Sequence, residues 1–72
     1  MITVGSTVLV DVPVGDDTKM LVKFNEMETV VTNKRSIKVN ENRQTLYELK
    51  YCESVFGIPY SFMKEWLVEI DG

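Results

Sequence analysis

The sequence has no histidine and one cysteine, Cys52, so imidazole general bases, intramolecular disulfides and Cys-cage zinc sites are excluded from the start. Its serines, Ser6, Ser36, Ser54 and Ser61, therefore lack an imidazole partner for nucleophilic attack, and no glycine-rich segment supplies a phosphate cradle. The nearest carboxylate pairs are Asp16-Asp17, Glu26/Glu28 and Glu65/Glu69. A general acid or base needs burial or a charged neighbour to tune it, and these pairs fall in polar loops or on expected solvent faces. Asp16-Asp17 also lacks the alternating oxygen ligands and central glycine of a calcium loop. Neither a catalytic centre nor a metal or cofactor site is expected. Cys52, beside Tyr51, is expected to be a small apolar filler.

Charge and apolar surface are more informative. Residues 34–43 contain Lys34, Arg35, Lys38 and Arg43 against Glu41, a local charge of +3 in a chain of net charge −3, so the remainder carries −6. A basic hairpin on an acidic body suits contact with phosphate or an acidic partner, although the commoner use of such charges is protection of a β edge against edge-to-edge pairing. Seven aromatics occur in 72 residues, and Phe62 and Trp66 are the expected core plugs. Val55-Phe56-Gly57-Ile58-Pro59, flanked by Tyr51 and Tyr60, is more apolar than one small core absorbs. Tyr51, Val55, Phe56, Ile58 and Tyr60 are therefore the candidate partner-binding residues. Lys34, Arg35, Lys38 and Arg43 are the candidate nucleic-acid contacts.

These residues must be positioned by strands. The chain contains no alanine and is rich in valine, a composition suited to pleated sheet rather than helix. Val8, Val10 and Val12 alternate along a first strand over Thr7 to Val12, and Pro13, Gly15, Asp16 and Asp17 form a connection. Met20 to Phe24 is expected as a short strand or extended loop with Met20, Val22 and Phe24 on one face. Met27 to Thr32 alternates again, with Thr29 and Val31 opposite Glu28 and Val30, before a polar turn at Asn33-Lys34-Arg35-Ser36. Ile37-Lys38-Val39 and Thr45 to Tyr51 then make a hairpin around residues 40–44, with Tyr47, Leu49 and Tyr51 sharing a face. Phe62/Trp66 and Met63/Leu67 are four apart, so Tyr60 to Leu67 is expected to hold one or two helical turns, capped by Ser61, before a last strand at Leu67 to Ile70.

A single all-β domain over residues 1–72 follows: five short strands with a single 3₁₀ or α turn before the last, the order of an SH3-like barrel. Gly5-x-x-Val8-x-Val10, Met27-Glu28-Thr29-Val30-Val31-Thr32, Tyr47-Glu48-Leu49, and the closing Tyr60-Ser61-Phe62 with Glu65-Trp66-Leu67 resemble small SH3-like, KOW-like β-barrel proteins of bacteria and their phages. The resemblance spans nearly the whole chain and implies a mobile-element origin. Where KOW relatives carry a glycine ahead of the second strand, this chain has Asn25-Glu26, which argues against a ribosomal or RNA-contacting role.

The function expected is a non-enzymatic protein-interaction module that binds and modulates a host protein. The alternatives are a weak nucleic-acid-binding barrel using the 34–43 hairpin, and a structural homo-oligomer such as a homodimer. No stretch approaches the ~20 apolar residues of a membrane span, and Met1-Ile2-Thr3-Val4 lacks signal-peptide character. A cytoplasmic location without membrane contact is the expectation.

Overall fold

A computed structural model describes residues 1–70, so the last two positions of the expected 1–72 domain lie outside the described residues. The chain is all-β. Its strands are β1 (Thr7–Val10), β2 (Glu28–Val39), β3 (Asn42–Glu53), β4 (Pro59–Met63) and β5 (Leu67–Glu69), with 3₁₀ turns at Val22–Phe24 and Lys64–Trp66. All pairings are antiparallel, and the sheet order is β4-β3-β2-β1-β5. Among the described residues no ladder joins β4 to β5, so the sheet is not closed into a barrel. The second 3₁₀ turn carries the chain between these two edges. Among the described residues no helix is long and apolar enough to cross a membrane.

Period two works where the backbone is regular. Val8 and Val10 are buried, as are Thr29 and Val31, while Glu28 and Val30 face outward. The first strand ends at Val10, not at Val12 as expected, and Val12 is buried beyond it, bonded to the Asn25 side chain. Phe62, Leu49, Tyr47 and Cys52 complete the centre of the core, and Ile2, Leu21, Phe24 and Leu67 close it. Trp66 is only partly buried and packs on the margin, so of the two expected plugs Phe62 alone is fully enclosed.

Four further elements differ from the expectation. Over Met20 to Phe24 the chain turns instead of extending. Hydrogen bonds from the amides of Leu21 to Thr18 and of Phe24 to Leu21 curl it, so Leu21 and Phe24 bury together at spacing three while Met20 is exposed. A second 3₁₀ turn is thus added to the one expected before the last strand.

Asn33 to Ser36 is not a turn but the middle of a twelve-residue strand. The register steps from Val31↔Leu49 to Asn33↔Glu48, a β-bulge at Thr32, whose hydroxyl donates to the Glu48 carbonyl at 3.1 Å. The real turn is the two residues Asn40 and Glu41, between paired Val39 and Asn42, with φ of 49° and 67°. Left-handed backbone at both positions is the type I′ geometry that matches the twist of a hairpin.

In β3 the alternation Tyr47, Leu49, Tyr51 breaks at its third member. Tyr51 has φ of 71° and faces solvent, and the next residue, Cys52, is buried in its place. Finally, Tyr60 to Met63 is strand β4 and not helix. Phe62 pairs with Tyr47 across the ladder, which outweighs the helical spacing to Trp66, and no side chain caps the short turn that follows.

Candidate functional site

The connection from β3 to β4 is an apolar turn held from within by Ser54. The Ser54 hydroxyl oxygen accepts from the amides of Phe56 and Ile58, both at 3.2 Å. The Ser54 amide donates to the Ile58 carbonyl and the Gly57 amide to the Ser54 carbonyl, both at 2.9 Å. Gly57, with φ of 78°, supplies the left-handed step that closes the turn.

With its backbone polar groups engaged in this way, the turn directs its apolar side chains outward. Val55 is 90% exposed, Phe56 85% and Ile58 64%. Tyr51, 68% exposed, stands at the base of the same hairpin with the Lys50 ammonium 5.1 Å from its ring centroid. Tyr60 differs from the other four candidates. It is half-buried, its ring 5.9 Å from that of Phe24, so it anchors the hairpin to the core as well as bordering the turn.

Tyr51 is notable for its backbone. A bulky side chain at positive φ costs about 1–2 kcal/mol relative to a position where glycine sits freely. Cys52 depends on that left-handed residue, within the register shift between Glu48 and Glu53, to turn inward. Burial, with the Glu53 carboxylate adding to it, pushes the Cys52 thiol up to about 11, and its Sγ contacts Met27 Sδ at 3.7 Å. An enclosed, protonated thiol is a packing group.

At the other end of the sheet, the cross-strand pairs of the β2–β3 hairpin sort the four basic candidates. Lys34 pairs with Tyr47 and Lys38 with Arg43, so these three cations share the face that carries the buried Tyr47. The Lys34 ammonium lies 6.0 Å from the Tyr47 ring centroid. Arg35 lies on the opposite face, where its guanidinium donates to the Ser61 hydroxyl at 2.7 Å. The four-residue basic cluster of the sequence is therefore divided three to one.

The basic face continues into a cleft of about 380 Å³ lined by Lys34, Arg43, Thr45, Tyr47, Lys64 and Glu65, among others. Lys64 is the member that sequence reasoning missed. It lies far along the chain from the other three cations, beside Glu65, and reaches the cleft only because the second 3₁₀ turn carries it there. Among the described residues, none of Lys34, Lys38, Arg43 and Lys64 has a carboxylate within ion-pair distance; the one recorded pair joins the Met1 ammonium to Glu69 at 3.0 Å.

The carboxylates considered for catalysis remain dispersed. Asp16, Asp17, Glu26, Glu28 and Glu65 are exposed, and Glu69 takes the Met1 ammonium. Comparison with protein families, curated proteins and solved structures finds no match to this chain.

Proposed function

We propose that the protein is a non-enzymatic interaction module whose contact surface is the Val55–Ile58 turn together with Tyr51. The observation that carries this reading is the exposure of Val55, Phe56 and Ile58 on a turn already ordered by Ser54. Preordering lowers the entropy lost on binding, and large apolar side chains that stay in water in the free protein gain most from docking. The strain retained at Tyr51 supports the same surface, because a bulky residue held in left-handed backbone is characteristic of functional positions. The partner that fits is a protein presenting an apolar pocket.

In fold, the strand order and the 3₁₀ turn before the last strand support a partly open SH3-like barrel. The sequence resemblance supports a bacterial or phage source and a host protein as the partner. The test is capture by the tagged protein from bacterial lysate, beside Phe56→Ala and Val55→Asp variants with matched thermal midpoints. Specific capture that falls at least about tenfold with either variant is expected. Capture indifferent to both would overturn the assignment, and recovery of the bait alone would point to the homo-oligomer.

The three cations on the face of Tyr47 support a second reading, contact with a phosphate backbone in the cytoplasm. So few contacts give weak binding with a shallow salt dependence, a logarithmic slope of about −2 to −3. Gel shifts on single- and double-stranded DNA and RNA across a salt series test it, and no shift at low salt removes it.

A further inference from the structure

We propose that the outer half of β2 is a docking edge for an acidic, extended peptide, which adds to the sheet as a sixth strand. The site is distinct from the Val55–Ile58 turn. β1 covers only the first part of β2: its pairs run from Thr7↔Val30 to Leu9↔Glu28, and the Gly5 and Val31 amides extend the contact to Val31. From Asn33 to Val39 the strand is bonded to β3 on one side, and no other strand pairs with its second side among the described residues.

The type I′ turn fixes which groups lie on that open side. Val39 and Asn42 close a two-residue turn and must form a hydrogen-bonded pair, and such pairs alternate along an antiparallel ladder. Val39, Ile37, Arg35 and Asn33 therefore bond β3, while Lys38, Ser36 and Lys34 direct their amides and carbonyls outward. The Lys34 amide is taken by the side chain of Asn33, whose Oδ1 accepts it at 2.9 Å. The amides and carbonyls of Ser36 and Lys38, and the Lys34 carbonyl, remain for an incoming strand.

The same alternation places the side chains of Lys34, Ser36 and Lys38 on one face, with Arg43 beside Lys38. A ligand residue directly opposite Ser36 projects onto that face, and so do its neighbours two positions away on either side. Acidic residues at those two flanking positions meet Lys34 and Lys38.

Charge and hydrogen bonding select the occupant. Asn33 to Val39 carries Lys34, Arg35 and Lys38 and no carboxylate, so pairing with a second copy would bring six cations into one two-stranded ribbon. A phosphodiester backbone offers acceptors but no donors, and leaves the outward carbonyls unanswered. An acidic peptide strand answers both the charges and the alternating donors and acceptors.

The probe is a blocked peptide, Glu-Val-Thr-Val-Glu, titrated into the full chain and followed by backbone amide shifts and amide exchange. Two N-methylated forms accompany it. Methylation at Thr removes the bond to the Ser36 carbonyl, whereas methylation at Val modifies an amide that points away from the protein.

Protection of the Ser36 and Lys38 amides is expected, with affinity about tenfold lower on Thr methylation and changed less than about twofold on Val methylation. Lys38→Glu is expected to lower affinity by a similar factor. So is Ser36→Pro, which deletes an outward donor without touching a β2–β3 bond. Phe56→Ala leaves the peptide titration unchanged, which separates this site from the apolar turn. Absence of binding, equal binding of the two methylated peptides, or protection that grows with protein concentration alone would overturn the proposal. So would an oligothymidylate that shifts these amides where the peptide does not.

Discussion

Glu26 stands in left-handed backbone, with φ of 68°, at the junction where β1 meets the start of β2. Its amide donates to the Val10 carbonyl at 2.9 Å, and the Val10 amide donates to the Met27 carbonyl at 3.0 Å. Two residues thus oppose one, the first of them left-handed, which is the bulge geometry that favours glycine. The side chain is exposed and has no recorded hydrogen bond or ion pair among the described residues, so replacing it removes little but strain.

Relief of left-handed strain is worth about 1–2 kcal/mol. The extra freedom of glycine in the unfolded chain returns about 0.5–1 kcal/mol of that. Glu26→Gly is therefore expected to stabilise the fold by about 0.5–1 kcal/mol. With an unfolding entropy of about 2.1 cal/mol/K per residue, 72 residues convert this to a rise of about 3–7 °C in Tm, read by circular dichroism.

Glu26→Ala is the control. It removes the same charge and keeps a Cβ, so its Tm should stay within about 3 °C of the parent. A fall in Tm for the glycine variant, or an equal rise for the alanine variant, would refute the backbone account.

Other substitutions probe separate links. Asn25 imitates a paired strand: its Oδ1 accepts the Val12 amide at 2.6 Å and its Nδ2 donates to the Val12 carbonyl at 2.9 Å. Asn25→Ala strands both groups and should cost about 1–3 kcal/mol in urea denaturation; a loss below about 0.5 kcal/mol would contradict the bridge. Cys52 ionises near 9 when unfolded and is pushed up to about 11 by burial, so the unfolded state releases its proton first as pH rises. Stability should fall between pH 9 and 11 by up to about 2–3 kcal/mol relative to Cys52→Ala, and parallel pH curves for the two proteins would sink this. Tyr51→Gly should raise Tm while weakening partner capture, and a rise in both would separate the strain from function.

The sequence disclosed the regular parts of the fold because period two survives wherever the ladder is unbroken. Val8, Val10, Thr29 and Val31 are buried as their alternation predicts. It concealed two of the irregular parts for the same reason: a single residue of altered backbone reverses the faces that follow. Thr32 and Tyr51 are such points, and neither residue type signals a bulge. Thr32 and the strand beyond it also explain why Asn33 to Ser36 resembled a turn, since a strand extending past the core has no apolar alternation to reveal it. The reverse error occurred at Phe62 and Trp66, where helical spacing arose by chance across a strand and a 3₁₀ turn.

The candidate surfaces were legible to unequal degrees. Val55, Phe56 and Ile58 could be found as apolar residues in excess of what one core holds, and they are exposed. The partition of Arg35 from Lys34, Lys38 and Arg43 could not, because it depends on the register set by the Asn40-Glu41 turn. Lys64 carried no sequence signal at all.

That turn also bears on the order in which the chain organises itself. The β2–β3 hairpin closes over two residues and grows by adjacent pairs, so it can assemble on the microsecond scale of an isolated hairpin. The β1–β5 ladder, by contrast, joins Leu9 to Val68 and waits for nearly the whole chain to close. The two ends of the sequence then meet last and part first. Hydrogen exchange should show it: the Ile70 amide, which donates to the Thr7 carbonyl at 2.9 Å, is expected to exchange well before the amides that bond β2 to β3. The last-formed edge therefore comes open while the long hairpin stays intact.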